Sequence, residues 1–146
     1  MGYEEGMTAP APCPFCQIVC GDIQAAVVGE GAGWLAFLDR SPLFFGHVLV
    51  VPREHRETLL DLAPDEVAPL FEAVQRVARA VTEGLASQGT FVAMNNKVSQ
   101  SVAHLHVHVV PRTKGDGLKG FFWPRKKYPG EAEIEVVRAA IAARLA

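Results

Sequence analysis

Three of the five histidines in this chain stand at alternate positions, in the run His104-Leu105-His106-Val107-His108-Val109-Val110-Pro111-Arg112. A period of two is that of a β-strand, whose successive side chains point to opposite faces. Leu105, Val107 and Val109 are therefore expected to face a core. His104, His106 and His108 are expected on the other face, each ~6.6 Å from the next at ~3.3 Å per residue. Imidazole is only intermediate in its preference for burial, and each ring nitrogen needs a partner, so a row of histidines points to chemistry before packing. Two chemistries suit it. Imidazole is the commonest metal ligand; it also serves as nucleophile and acid–base group at a phosphorus or carbonyl centre.

Displacement at phosphorus makes definite demands. Neutral imidazole is a usable nucleophile near neutral pH, since its ordinary pKa is ~6.5. Imidazoles held close together cannot all be protonated, so at least one stays neutral. Attack gives a covalent phosphorus–nitrogen intermediate that water then hydrolyses. The leaving group needs a proton, and the phosphate oxygens need donors. His106, with a neighbour on either side, is best placed to attack. The polar run Asn95-Asn96-Lys97-Val98-Ser99-Gln100-Ser101 leads straight into the histidines and offers amides, hydroxyls and backbone N–H groups to oxyanions. Gln100, Ser101 and His108 are candidates for the remaining roles.

Cys13-Pro14-Phe15-Cys16 carries a second set of possibilities: a redox dithiol, half of a zinc site, or two thiols packed under a short helix. The motif looks like a glutaredoxin active site, but that fold needs a strand before it. Here only residues 1–12 precede it, and their Gly, Pro and Ala content reads as a flexible tail. Three cysteines are too few, and odd in number, for a disulfide scaffold. Cys20 reads as packing. His47 opens an apolar run, where a core histidine and a functional one are equally reasonable. His55 lies in the polar connection over 53–61.

The elements that would position these groups follow from pattern. Residues 25–30 and 34–38 read as a hairpin around Gly29, Gly31 and Gly33. His47-Val48-Leu49-Val50-Val51-Pro52 reads as a central buried strand. The main helix runs from Pro64 to about Ala86, with Asp65 and Glu66 complementing its positive end. Val67, Leu70, Phe71, Val74, Ala78, Val81 and Leu85 form its apolar stripe. Pro69 should kink its first turn or delay its start, and Arg76 and Arg79 fall on the solvated face. A strand over 90–94, the histidine strand and a helix over 131–145 complete the order. The expectation is an α+β fold: a five-stranded, mostly antiparallel sheet, with a short N-terminal helix, one long helix and a C-terminal helix. The histidine face should look away from the long helix. The segment 113–130, with Phe121-Phe122-Trp123-Pro124-Arg125-Lys126-Lys127-Tyr128, is too long and apolar for a plain connector.

The 146 residues suit one domain, 13–146, with 113–146 as a C-terminal extension. Hydrophobic content of 49% against 21% charged points to a globular chain. A net charge of −2 without a basic block argues against a nucleic-acid polymer as ligand. No apolar run approaches the ~20 residues of a membrane span, and no signal peptide is evident. A cytoplasmic protein is the simplest reading.

At these motifs the sequence resembles the histidine triad (HIT) family of nucleotide hydrolases and transferases. The resemblance spans about residues 13–112. It rests on Cys13-Pro-Phe-Cys16, Ala36-Phe37-Leu38-Asp39, Gly46-His47-Val48-Leu49-Val50-Val51-Pro52, His55 and, above all, the block from Gln100 to Arg112. It implies that His106 is the nucleophile carrying the nucleotidyl group, that His108 binds the α-phosphate, and that His47 supports the site as a fourth histidine. Asp39 stands where the family places a ribose ligand; Asn95, Gln100 and Ser101 stand where it places phosphate and leaving-group contacts. A purine nucleotide substrate and a homodimer with a sheet continuous across its interface are implied as well. Transferase branches carry glutamine at the third histidine, so His108 favours a hydrolase. Zinc-bearing members imply a structural zinc on Cys13, Cys16, His55 and His104. Lys97-Val98-Ser99 stand where the family usually has a glycine in a longer loop, and residues 121–128 have no counterpart in the general motif.

Three functions compete on this reading. One is hydrolysis of nucleoside 5′-phosphoramidates or dinucleoside polyphosphates through a nucleotidyl-His106 intermediate. The others are a nucleotide-binding regulatory module with negligible turnover, and a metal-dependent hydrolase with the triad on zinc.

Overall fold

The computed structural model describes residues 12–119 and 125–145. The tail expected over 1–12, apart from Pro12, and residues 121–124 of the aromatic run lie outside the described residues. The chain forms two compact units, one through Asp116 and one from Gly117 onward. The first contains α1 (Pro14–Cys20), β1 (Val27–Glu30), β2 (Trp34–Leu38), β3 (Val48–Pro52), α2 (Pro64–Leu85), β4 (Gly89–Ala93) and β5 (Val107–Arg112). The second contains α3 (Glu131–Leu145), on which no described residue is buried. The strands form one sheet in the order β1-β2-β3-β5-β4, each neighbouring pair antiparallel. This is the expected α+β arrangement.

Alternation along the strands divides the core between the two faces. Ala36, Val48, Val50, Leu105, Val107 and Val109 pack with Leu70, Ala73, Val74, Val77 and Val81 of α2. Leu35, Phe37, Leu49 and Val51 pack on the opposite face with Phe15 of α1. β3 is buried on both faces, as its unbroken apolar sequence requires. Each aliphatic side chain buried this way contributes about 1.5–3 kcal/mol. The core side of the 105–109 segment therefore anchors it, and its other side is left for the histidines, facing α1 and away from α2.

Several details depart from the sequence pattern. The β5 ladder begins at Val107, so His104, in a bend, and His106 lie before the strand. Pro52 supplies the reason: it has no N–H to pair there, and its carbonyl is taken by the His104 ring at 2.8 Å. The backbone at Leu105 instead donates to the Arg56 carbonyl, at 2.7 Å. On α2 the buried stripe centres on Val77, and Val67, Phe71 and Leu85 are exposed. α2 starts at Pro64 without delay, with Pro69 inside it. Glu66 Oε1 accepts the free Ala63 N–H at 2.9 Å, which satisfies an orphan donor at the helix start. Arg76 is exposed but sits 5.7 Å over the Trp34 ring, a cation–π contact and not a bare solvated charge. Cys20 is exposed, so it does not pack in the core; its thiol donates to the Gln17 carbonyl.

Candidate active site

The histidines fall into two groups that share the 104–108 segment. The first joins α1 to the end of β3. Cys13 caps α1, its sulfur accepting the Cys16 N–H at 3.4 Å. His104 Nδ1 lies 3.4 Å from Cys13 Sγ and 3.5 Å from Cys16 Sγ. His55 Nδ1 lies 3.2 Å from Cys16 Sγ. All four potential ligand atoms lie within 4.8 Å of one another. Because the Pro52 carbonyl can only accept, His104 Nε2 carries the proton and Nδ1 presents its lone pair to the thiols. Burial holds His104 below the ordinary imidazole range, which keeps that lone pair available. Burial, together with the hydrogen bond and charge of Cys13 and the charge of Cys20, pushes the Cys16 thiol up to about 11. Two thiols and two imidazoles, one of them fixed in tautomer by a backbone carbonyl, fit a closed tetrahedral zinc site.

The second group is built on the turn between β2 and β3. Asp39 Oδ1 accepts the Ser41 N–H at 2.9 Å and opens the turn. Gly46 closes it at φ 99°, where a Cβ would run into Leu85 Cδ1. The turn thereby aims the Leu43 N–H at His47 Nδ1, 3.1 Å away. A backbone N–H only donates, so His47 Nδ1 is unprotonated and its Nε2 bears the hydrogen. That hydrogen goes to His108 Nδ1 at 2.9 Å. The His108 proton must then sit on Nε2, the nitrogen left to meet a ligand. His106 is set separately: its Nδ1–H donates to the His104 carbonyl at 2.8 Å, leaving the lone pair on Nε2. These hydrogen bonds leave a lone pair on His106 Nε2 and a proton on the neighbouring His108 Nε2.

Electrostatics support those states. Burial, with His106 and His47 adding like-charge repulsion, lowers His108 to about 4 against the opposing pull of Asp39. Burial also lowers His47, again opposed by Asp39, whose Oδ2 lies 3.7 Å from Nε2. Both rings are therefore neutral at pH 7. Asp39, His47 and His108 are close enough together to suggest a cation site. The Leu43 N–H argues otherwise: a cation on His47 Nε2 would leave that ring with no proton on either nitrogen, an imidazolate. The donor chemistry thus favours metal at the cysteine group and disfavours it at Asp39, His47 and His108.

A cavity of about 260 Å³ adjoins this group. Its lining combines Asp39, Ser101, His106 and His108 with apolar walls from Phe15, Ile18, Phe37, Leu49 and Val102. A larger groove of about 510 Å³ lies beside α2, but Arg76 is the one ionisable residue in its lining, and it offers no comparable chemistry. The structure brings His47, Asp39, Ser101, His106 and His108 together. Asn95 and Gln100 do not line the cavity. The Asn95 amide donates to the Ser99 carbonyl, while Gln100 bridges the Glu57 carbonyl and the Lys97 N–H, so both brace the loop. Lys97 and Ser99 hold left-handed backbone there, at φ 71° and 60°. Sequence reasoning missed Phe15, Ile18 and the Leu43 amide. Phe15 and Ile18 could have been found from their place on the helix that carries the thiols; the Leu43 amide leaves no mark in side-chain identity.

The family model described as HIT domain matches residues 21–115. The chain belongs to the HIT family. Among solved structures, this HIT protein is similar to a family member from Bacillus subtilis, 37% identical, with a TM-score of 0.83 over 93% of this chain and 99% of the other. It is also similar to a Zn-bound histidine triad family protein from Mycobacterium smegmatis, 39% identical, with a TM-score of 0.70 over 90% and 94% of the two chains. Among curated relatives, the adenosine 5′-monophosphoramidase hnt1 of Schizosaccharomyces pombe is 33% identical over 136 residues, covering 91% of this chain and 98% of the relative. Among the described residues of this HIT protein, no helix is long and apolar enough to cross a membrane.

Proposed function

We propose that this HIT protein hydrolyses a nucleoside 5′-phosphoramidate or a dinucleoside polyphosphate at its α-phosphate, through a nucleotidyl-His106 intermediate. The observation that carries the reading is the chain of backbone-assigned protons: Leu43 N–H to His47, His47 to His108, and His106 to the His104 carbonyl. His106 Nε2 attacks the α-phosphorus; the nitrogen–phosphorus bond forms as the bond to the leaving group breaks. The new imidazolium is stabilised by its Nδ1–H on the His104 carbonyl. His108 Nε2–H donates to a phosphate oxygen, and the Ser101 hydroxyl, exposed at the cavity mouth, relays a proton from solvent to the departing group. Water then attacks phosphorus as the nitrogen–phosphorus bond breaks; its proton returns to solvent and His106 departs as neutral imidazole. The apolar walls receive a purine base, and Asp39 is the ribose ligand. Asn95 and Gln100 act by shaping the loop before Ser101. The phosphoramidase relative supports the phosphorus–nitrogen bond as substrate.

Cys13, Cys16, His55 and His104 would hold zinc, which supplies a structural cross-link between α1 and the sheet with no open position for substrate. The zinc-bound relative supports this set. A homodimer is the expected assembly, to be checked by sedimentation at micromolar concentration.

The decisive experiment is intact-mass spectrometry, without acid, after brief incubation with adenosine 5′-phosphoramidate and with a diadenosine polyphosphate. Wild type should carry a nucleotidyl adduct and His106→Ala should not, with turnover in the variant lower by at least about a thousand-fold. Equal slow hydrolysis by both proteins would instead establish a nucleotide-binding module.

A further inference from the structure

We infer that α1 couples the cysteine–histidine cluster to the nucleotide cavity, with Phe15 as the positioning residue for His106. The inference rests on the function proposed above and adds a regulator to that site: metal occupancy sets nucleotide affinity, although the metal meets no nucleotide.

α1 has seven residues, too few for a helix to hold itself together, since isolated helices shorter than about 12 residues are marginal in water. Its position comes from its contacts. Two of those are the thiols Cys13 and Cys16, half of the cluster. Between them in sequence, Phe15 meets His106 edge-on at 5.1 Å, His104 at 5.9 Å and Phe37 at 5.5 Å. Ile18, about one turn further along, is another cavity wall. One short element thus carries two ligand atoms and two walls. A second link runs through His104, whose Nδ1 faces the thiols while its carbonyl accepts the His106 Nδ1–H. Filling the cluster fixes α1 and His104 together. It thereby fixes the ring that backs His106 and the acceptor that orients it. Emptying the cluster frees both.

Such coupling is reciprocal: zinc must strengthen nucleotide binding by the same factor as nucleotide strengthens zinc binding. The test uses full-length protein and AMP as probe. AMP affinity is measured calorimetrically with and without zinc, and zinc affinity with and without AMP, with circular dichroism to check the fold. Each affinity should rise about tenfold or more with the other ligand present, by matching factors. Phe15→Leu should keep its zinc affinity in the absence of AMP, and its coupling should fall toward one. Equal AMP affinity with and without zinc in folded protein, or undiminished coupling in Phe15→Leu, would overturn the inference.

If the metal-free chain does not fold, zinc-loaded Phe15→Leu decides. Weaker AMP binding and displaced His106 ring nitrogen resonances support the link, and unchanged values for both refute it. If AMP fails to bind zinc-loaded wild type, the proposed function fails. The His106 resonances of Phe15→Leu still test α1 on their own.

Discussion

His104 and His108 stand four residues apart on the same side of one segment, yet the two sites they serve treat their protons in opposite ways. At the cysteine group, a backbone acceptor, the Pro52 carbonyl, holds the His104 proton and releases a lone pair toward two sulfurs. At the cavity, a backbone donor, the Leu43 N–H, occupies a lone pair of His47 and sends protons outward through His108. A carbonyl behind an imidazole leaves its outer nitrogen a lone pair; an N–H behind it leaves its outer nitrogen a proton. The difference teaches that the role of a histidine is set by the partner of its other nitrogen more than by its own position.

Metal removal should separate the two sites most sharply. Chelation is expected to lower the melting temperature by about 10 °C or more, and saturation should restore it at one zinc per chain, because the cavity group rejects a second ion. Two zinc ions per chain in a titration, or loss of hydrolysis with an unchanged melting curve, would erase the distinction. The high Cys16 pKa, about 11, adds a sign: zinc must expel that proton, so apparent zinc affinity rises with pH, and the binding enthalpy varies with the ionisation enthalpy of the buffer.

A smaller effect is expected from the donor relay. Leu43→Pro removes the N–H that sets the His47 tautomer, and turnover should fall by about ten- to a hundred-fold with zinc retained. Leu43→Ala keeps the N–H and should remain close to wild type. If the two variants behave alike in steady-state kinetics, the backbone donor is not what assigns the protons.

The acid response gives a third measure. Unfolded His108 takes up a proton near its ordinary pKa of ~6.5. Folded His108 refuses it until about 4. Between those values the unfolded state binds more protons, so stability falls as pH falls through the window. His108→Gln removes that contribution, and its stability should decline less steeply from pH 6.5 to 4 in denaturant titrations. A slope equal to wild type would show that His108 is not the group responsible.

The least effect is expected at the loop. The Asn95 amide bonds to the Ser99 carbonyl and does not line the cavity, so Asn95→Ala should change kcat/KM by no more than about threefold. A loss comparable to that of Leu43→Pro would assign Asn95 a direct contact with substrate.

The alternation of His104, His106 and His108 with Leu105, Val107 and Val109 determined which side of the segment meets the core, because side chains in extended backbone alternate whatever surrounds them. The unbroken apolar run of β3 likewise determined its double burial, and the order of patterned segments determined the α+β fold. Side-chain identity also nominated the thiols and imidazoles of both sites, and the family motif added their roles. Tertiary structure alone decided the proton states. The Pro52 carbonyl acts on a histidine 52 residues away, and the Leu43 N–H reaches His47 only because Gly46 closes the turn between them. It also decided that Phe15, between two thiols in sequence, packs edge-on against His106, that Asn95 turns into its own loop, and that Gln100 ties that loop to the Glu57 carbonyl. Backbone donors and acceptors are alike at nearly every residue, so the letters of a sequence do not show where they point; only the folded chain aims them.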